Sequence, residues 1–150
     1  MLFRQKHGSA NIATVVERKT RYTVLLQNND RRSKSVMQKL ITAMAPLPLQ
    51  ARQSITFDRG FEFTAWRELY RGMGTASWFC DPQAPWQKGT VENTNRRLRR
   101  HLPSDTALLS LPRGSVQSVA DQLNATPRKC LGFRTPAEVF REELARITVA

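Results

Sequence analysis

The hydrophobic pattern of this chain changes period in a fixed order, and that order limits the architectures open to it. Ala10 to Val16 and Tyr22 to Leu26 are short β-favouring runs joined by the charged segment Glu17-Arg-Lys-Thr-Arg21, which reads as a strand pair with a polar connection. Val36, Leu40 and Met44, with Met37 and Ile41 beside them, recur at helical spacing after Ser33 as a candidate cap, and Pro46 and Pro48 stop the helix. Ile55 and Phe57 alternate and end at Asp58-Arg-Gly60, as a strand entering a turn does. Thr64 is a candidate cap for a helix carrying Trp66, Leu69 and Tyr70, with Gly72 and Gly74 as stop signals before a strand from Thr75 to Cys80. Leu2 and Phe3 read as the tail of a further strand ahead of the first run, with Lys6-His-Gly-Ser9 as the turn.

Helices dominate the second half. Asp81 to Gly89, with Pro82 and Pro85, reads as a loop; beyond it Val91, Leu98 and Leu102 form one stripe of a helix that Pro103 terminates. Ser115 is a candidate cap for a helix bearing Val116, Val119 and Leu123. Thr135-Pro-Ala-Glu138 is a capping box with Pro at the first helical position, ahead of Phe140, Leu144 and Ile147. No repeat or linker divides these pieces, and 150 residues suit one domain, so the expected fold is a single mixed α/β domain.

Twenty-four Lys and Arg against twelve Asp and Glu leave a net charge of +12, which points to a polyanionic partner because neutralised phosphates release condensed counterions. Charge bears on partners, not on fold. Cys80 and Cys130 lie far apart with no neighbouring Cys or His at ligand spacing, and His7 and His101 are isolated, so neither a zinc site nor a disulfide framework is expected. No apolar run approaches the ~20 residues that span a bilayer, and a cytoplasmic location without membrane contact is the expectation.

Two acids stand out by position. Asp58, in Ser54-Ile-Thr-Phe-Asp-Arg-Gly, ends a strand, and Glu92, in Lys88-Gly-Thr-Val-Glu-Asn, lies early in a helix, with 33 residues between them. Each has a bland reading. Asp before Arg-Gly is ordinary turn chemistry, its carboxylate accepting from the backbone two residues on, and Glu92 four residues before Arg96 suits a surface pair worth a few tenths of a kcal/mol. Together, beside glycine-bearing loops, the two carboxylates suit coordination of hard divalent cations.

Residues 10 to 142 resemble the catalytic core of DDE transposases of the IS-thirty type, relatives of retroviral integrases with a ribonuclease H-like fold. The matching stretches are Val16-Glu-Arg-Lys-Thr-Arg-Tyr22, Thr56-Phe-Asp-Arg-Gly-Phe-Glu-Phe63, Phe79-Cys-Asp-Pro82, Pro85-Trp-Gln-Lys-Gly-Thr-Val-Glu-Asn-Thr-Asn95 and Pro127 to Phe140. The resemblance implies a mixed sheet flanked by helices with its first strand incomplete, Asp58 as the second acid of a catalytic triad and Glu92 as the third. It further implies phosphoryl transfer at DNA ends with two Mg²⁺ or Mn²⁺ ions ~3.5–4 Å apart. The first acid is expected just upstream of Met1, and neither Glu17 nor Asp30 is placed to replace it, so the expected metal pocket is incomplete and the activity impaired. The helix-turn-helix segment that recognises the element's ends is likewise expected to be missing.

DNA contact is expected from the Glu92 helix, where geometry puts Arg96 and Arg99 on the face of Glu92, Lys88 precedes it, Arg100 flanks it, and Asn93 matches the family. Expected partners are DNA at transposon ends and target, a second copy, or a full-length transposase. The alternative is a non-catalytic DNA-binding or regulatory derivative. Glu62, four residues after Asp58, is within reach of the site by spacing, but between Phe61 and Phe63 it reads as an outward polar position; Trp66, Trp78 and Trp86 read as core and loop packing.

Overall fold

A computed structural model describes residues 8–149; the expected strand tail at Leu2 and Phe3, and His7, lie outside the described residues. The two opening runs form β1 (Asn11–Val16) and β2 (Thr23–Asn28), paired antiparallel with Thr14 opposite Leu25 and Val15 opposite Val24. Side chains on a strand point alternately to its two faces. One face of this pair, through Ile12 and Leu25, joins Leu98, Leu102, Leu108, Val116, Val119 and Leu123 in one apolar cluster. The other, through Ala13, Val15 and Leu26, packs against a second cluster of Val36, Met37, Leu40, Ile55, Phe57, Leu69 and Met73. The pair is therefore covered on both faces, which is why it reads as nearly continuous apolar sequence.

The second cluster belongs to α1 (Ser33–Met44), β3 (Ser54–Phe57), α2 (Arg67–Met73) and β4 (Ala76–Phe79). Strands β3 and β4 pair parallel, Phe57 beside Phe79, with α2 as the crossover that a parallel pair requires. Ile55 and Phe57 are buried while Ser54 and Thr56 are exposed, and Trp78, paired with Thr56, is 64% exposed. This sheet is covered on one face only. Trp78 is thus a surface residue and not the packing residue expected from its composition.

Helix boundaries correct the expected caps and account for two glycines. Ser33 is the first residue of α1, not its cap, and its hydroxyl accepts from the Ala65 N–H at 2.6 Å. Thr64 donates to the Phe61 carbonyl, while α2 starts at Arg67 behind Trp66. Gly74 ends α2 with φ +70, the left-handed stop that the sequence suggests. Gly72 lies inside α2 for a different reason: a Cβ there would come 2.7 Å from Cδ1 of Ile41, so the glycine permits the close approach of α1 and α2.

The remaining helices are α3 (Gly89–His101), α4 (Ser115–Ala125) and α5 (Pro136–Val149). Leu98 and Leu102 turn inward from α3 as their spacing predicts, and Leu98 is completely buried. The capping box of α5 forms as expected: the Glu138 N–H donates to Thr135 Oγ1 at 3.2 Å and the Thr135 N–H donates to Glu138 Oε2 at 2.8 Å. The Thr135 N–H first, and the Thr135 side chain beside it, hold the Glu138 carboxyl below the usual carboxylate range. Ser115 does not cap α4; it lies inside the helix behind Gly114 and donates to the Pro112 carbonyl. No helix of the described residues is long and apolar enough to cross a membrane.

Candidate acid pair and nucleic-acid interface

Asp58 follows the last residue of β3, where the strand breaks into a turn at Arg59-Gly60. Its Oδ1 accepts from the Gly60 N–H at 3.0 Å, the turn bond its sequence context suggests. Its Oδ2 lies 3.6 Å from Lys88 Nζ, an ion pair between partly exposed side chains. Lys88 precedes α3, so this pair links the end of β3 to the start of the helix that carries Glu92. An open pocket of about 420 Å³ surrounds it, lined by Arg31, Asp58, Arg59, Gly60, Phe61, Glu62 and Lys88.

Glu62 corrects the reading of an outward polar position. It is half-buried and lines this pocket. A Cβ added to Gly60 would sit 2.7 Å from Glu62 Oε2 and 3.0 Å from Asp58 Oδ1, so the two carboxylates flank the bare Cα of Gly60. A side chain at Gly60 would push the Glu62 carboxylate, the far end of a flexible side chain, out of its place beside Asp58. The sequence carried a signal for this, since Glu62 stands four residues after Asp58, but it is the short turn over Phe61–Phe63 that brings Glu62 back beside Gly60. Arg31 and Arg59 were missed as well; Arg59 donates to the Cys80 carbonyl at 3.3 Å, and Arg31 Nη2 is inaccessible to solvent and without a hydrogen-bond partner.

Glu92 lies in the first turn of α3 and is exposed, with no hydrogen-bond partner for its side chain among the described residues. Arg96 does not pair with it; Arg96 donates to Asn93 Oδ1 at 2.7 Å. Arg96, Arg97, Arg99 and Arg100 are all exposed on the side of α3 away from Leu98. Their guanidiniums occupy one helical surface with no carboxylate partner among the described residues. The loop before α3 carries Trp86, 76% exposed, so this tryptophan does not pack as expected. Trp66 does pack, edge-on to Phe79 with ring centres 5.9 Å apart, and carries Arg67 4.8 Å from its ring centre.

Asp58 and Glu92 offer hard oxygen atoms, which suit Mg²⁺. Asp58, however, already faces the Lys88 ammonium, and among the described residues no group of three or more His, Cys, Asp or Glu side chains could hold a metal. Among the described residues, the side chains gathered here do not complete a two-ion centre.

Comparison with known proteins supplies the lineage. The chain is 42% identical over 137 residues, 91% of its length, to the transposase InsI of insertion sequence element IS30C from Escherichia coli K12. The chain is homologous to IS30-type transposases. A second relative of this type, the transposase of insertion sequence element IS1086 from Cupriavidus metallidurans CH34, is 36% identical over 91% of the chain. The chain spans 36% and 40% of the lengths of these two relatives. No protein-family model matches it.

Solved structures agree on the fold. The catalytic core domain of BIV integrase superposes with a TM-score of 0.68 at 18% identity, covering 93% of this chain and 96% of that one. A chain of the simian T-cell lymphotropic virus intasome, solved in complex with the PP2A regulatory subunit B56 gamma, superposes with a TM-score of 0.62 at 16% identity over 87% of this chain. The mixed α/β fold is that of an integrase catalytic core, ribonuclease H-like.

Proposed function

We propose that this chain is the catalytic-core portion of an insertion-sequence transposase and that it holds DNA through the exposed face of α3. The observation that carries the proposal is the 42% identity to a transposase over 91% of the chain. Supporting it are the net charge of +12 and the row of exposed arginines beside Glu92. In this reading Asp58 and Glu92 are two acids of the phosphoryl-transfer centre, Mg²⁺ or Mn²⁺ is the ion they serve, and Lys88, Asn93, Arg96, Arg99 and Arg100 contact phosphates. Such contacts position a duplex without reading its sequence. Transposon ends and target DNA are the substrates, with a second copy or a full-length transposase as protein partner.

Because the described residues do not bring three metal-binding side chains together, the 150-residue chain is expected to bind DNA without joining it efficiently. Fluorescence anisotropy with random-sequence duplexes tests the binding. Affinity should fall steeply between 50 and 200 mM salt, and each of Arg96→Ala and Arg99→Ala should lower the slope of log K against log salt by roughly 0.9. Salt-independent affinity, or slopes unchanged in both variants, would sink the proposed interface. Strand transfer by the purified chain, abolished by Glu92→Gln, would instead show a working centre and overturn the expected impairment. The same donor set favours one other reading, a non-catalytic regulator that binds full-length transposase, which co-purification of the two would support.

A further inference from the structure

The segment Glu17 to Tyr22, at the tip of the β1–β2 hairpin, has no part in the acid pair, yet its geometry reaches the Glu92 helix. Glu17 takes three hydrogen bonds on its carboxylate: from the Lys19 N–H at 3.0 Å, the Thr20 N–H at 2.6 Å and the Thr20 hydroxyl at 2.7 Å. Its backbone closes the turn, the Glu17 N–H donating to the Tyr22 carbonyl and the Arg21 N–H to the Glu17 carbonyl. Thr20 is fully buried beneath it. Arg21 is held at φ +64, a left-handed backbone that is costly for a residue with a Cβ and persists only where its surroundings over-determine it.

That strained backbone aims a guanidinium across the molecule. Arg21 Nη1 donates to Thr90 Oγ1 at 2.9 Å, the second residue of α3 and two before Glu92. No side chain caps the start of α3 from its own preceding residue, Lys88, and the loop before it exposes Trp86. On the far side of the turn, Tyr22 stacks on Phe140 of α5 with ring centres 4.3 Å apart, and Lys19 Nζ pairs with Glu143 Oε2 at 2.7 Å. The turn is thus anchored to α5 behind and grips the first turn of α3 in front.

We propose that Arg21 is a positioning residue: through Thr90 it fixes the first turn of α3, and with it the direction of Glu92 and of the basic face that follows. Its consequence for DNA rests on the function proposed above; the mechanical part does not. Arg21→Gly removes the guanidinium while placing at φ +64 the one residue that adopts it without strain. Thr90→Val removes the acceptor at nearly constant shape and constant charge. Hydrogen exchange of the amides in residues 90–95 should rise about tenfold in each variant, no further in the double variant, with the melting temperature and the exchange of α4 unchanged. Arg21→Lys should restore part of the protection. Thr90→Val should also weaken DNA binding about twofold without altering its salt slope.

Unchanged exchange over 90–95 in both single variants overturns the inference, as does additive loss in the double variant. Loss of protection spread evenly over the whole domain also overturns it, because that marks a purely structural turn. If exchange rises as expected while Arg96→Ala and Arg99→Ala leave DNA affinity untouched, the clamp stands and the DNA reading of α3 is what fails.

Discussion

The Thr23 end of the β1–β2 pair and the region of Asp58 and Glu92, after β3 and in α3, are built on opposite principles. At Thr23 the backbone groups are buried and satisfied: Asn124 of α4 accepts from the Thr23 N–H and donates to its carbonyl, both at 2.8 Å, across 101 residues of sequence. Around Asp58 and Glu92 the charges are exposed or half-exposed, and one ion pair at 3.6 Å is the main tie between the elements that carry them. The first region supplies rigidity from short-range bonds shielded from water, where each is expensive to break. The second leaves its charges hydrated and available, at little cost in stability. A surface meant for a polyanion should look like the second, and the scaffold that aims it like the first.

That contrast is most easily broken in the core beneath α3. Leu98→Ala, at a completely buried position, should cost about 3 kcal/mol in urea unfolding, whereas Phe61→Ala, 89% exposed on the pocket rim, should change stability by less than about 0.5 kcal/mol. Equal costs would mean that the rim is as tightly integrated as the core. Next in size is Asn124→Ala, which strands the Thr23 backbone groups in a buried place and should cost about 2 kcal/mol. A negligible cost would show that water replaces the lost bonds and that this region is not sealed.

A smaller effect depends on pH. Burial pushes the Glu17 carboxyl up, but the Thr20 hydroxyl and the Lys19 and Thr20 N–H groups outweigh it and hold the pKa below the ordinary glutamate value. A carboxyl with a lowered folded pKa contributes stability that is fully present above its unfolded pKa, about 4.3, and lost as pH falls through the folded one. Denaturation midpoints should therefore decline below about pH 4 in the native chain, and Glu17→Gln should flatten part of that decline. The smallest effect is expected at the ion pair of the exposed region, where Lys88→Met should leave the melting temperature nearly unchanged. A large drop there would erase the distinction between the two regions.

Local chemistry in the chain was legible wherever the interaction closes within a few residues. The turn bond from Gly60 to Asp58 and the capping box of Thr135 and Glu138 both formed as their spacing suggests. The inward stripe of Leu98 and Leu102, and hence the outward row of arginines, follows from 3.6 residues per turn. Ser33 and Thr64 misled because a hydroxyl near a helix start has several partners in reach; Ser33 found the Ala65 N–H instead of its own helix. Trp78 and Trp86 misled because size and apolarity favour burial only where another layer covers the strand or loop.

The sequence by itself determined the order of elements, the basic character, and the identity of Asp58 and Glu92 as the two acids at strand end and helix start, because periodicity, charge and motif spacing are properties of the chain. Tertiary structure alone decided that Glu62 turns back beside Asp58 over the bare Gly60 and that Lys88 faces Asp58. It also decided that Arg21, 69 residues before Thr90, holds the start of α3. Each of these depends on which side chains packing brings within a few ångströms of one another, and hydrogen bonds and ion pairs act at that range whatever the distance along the chain.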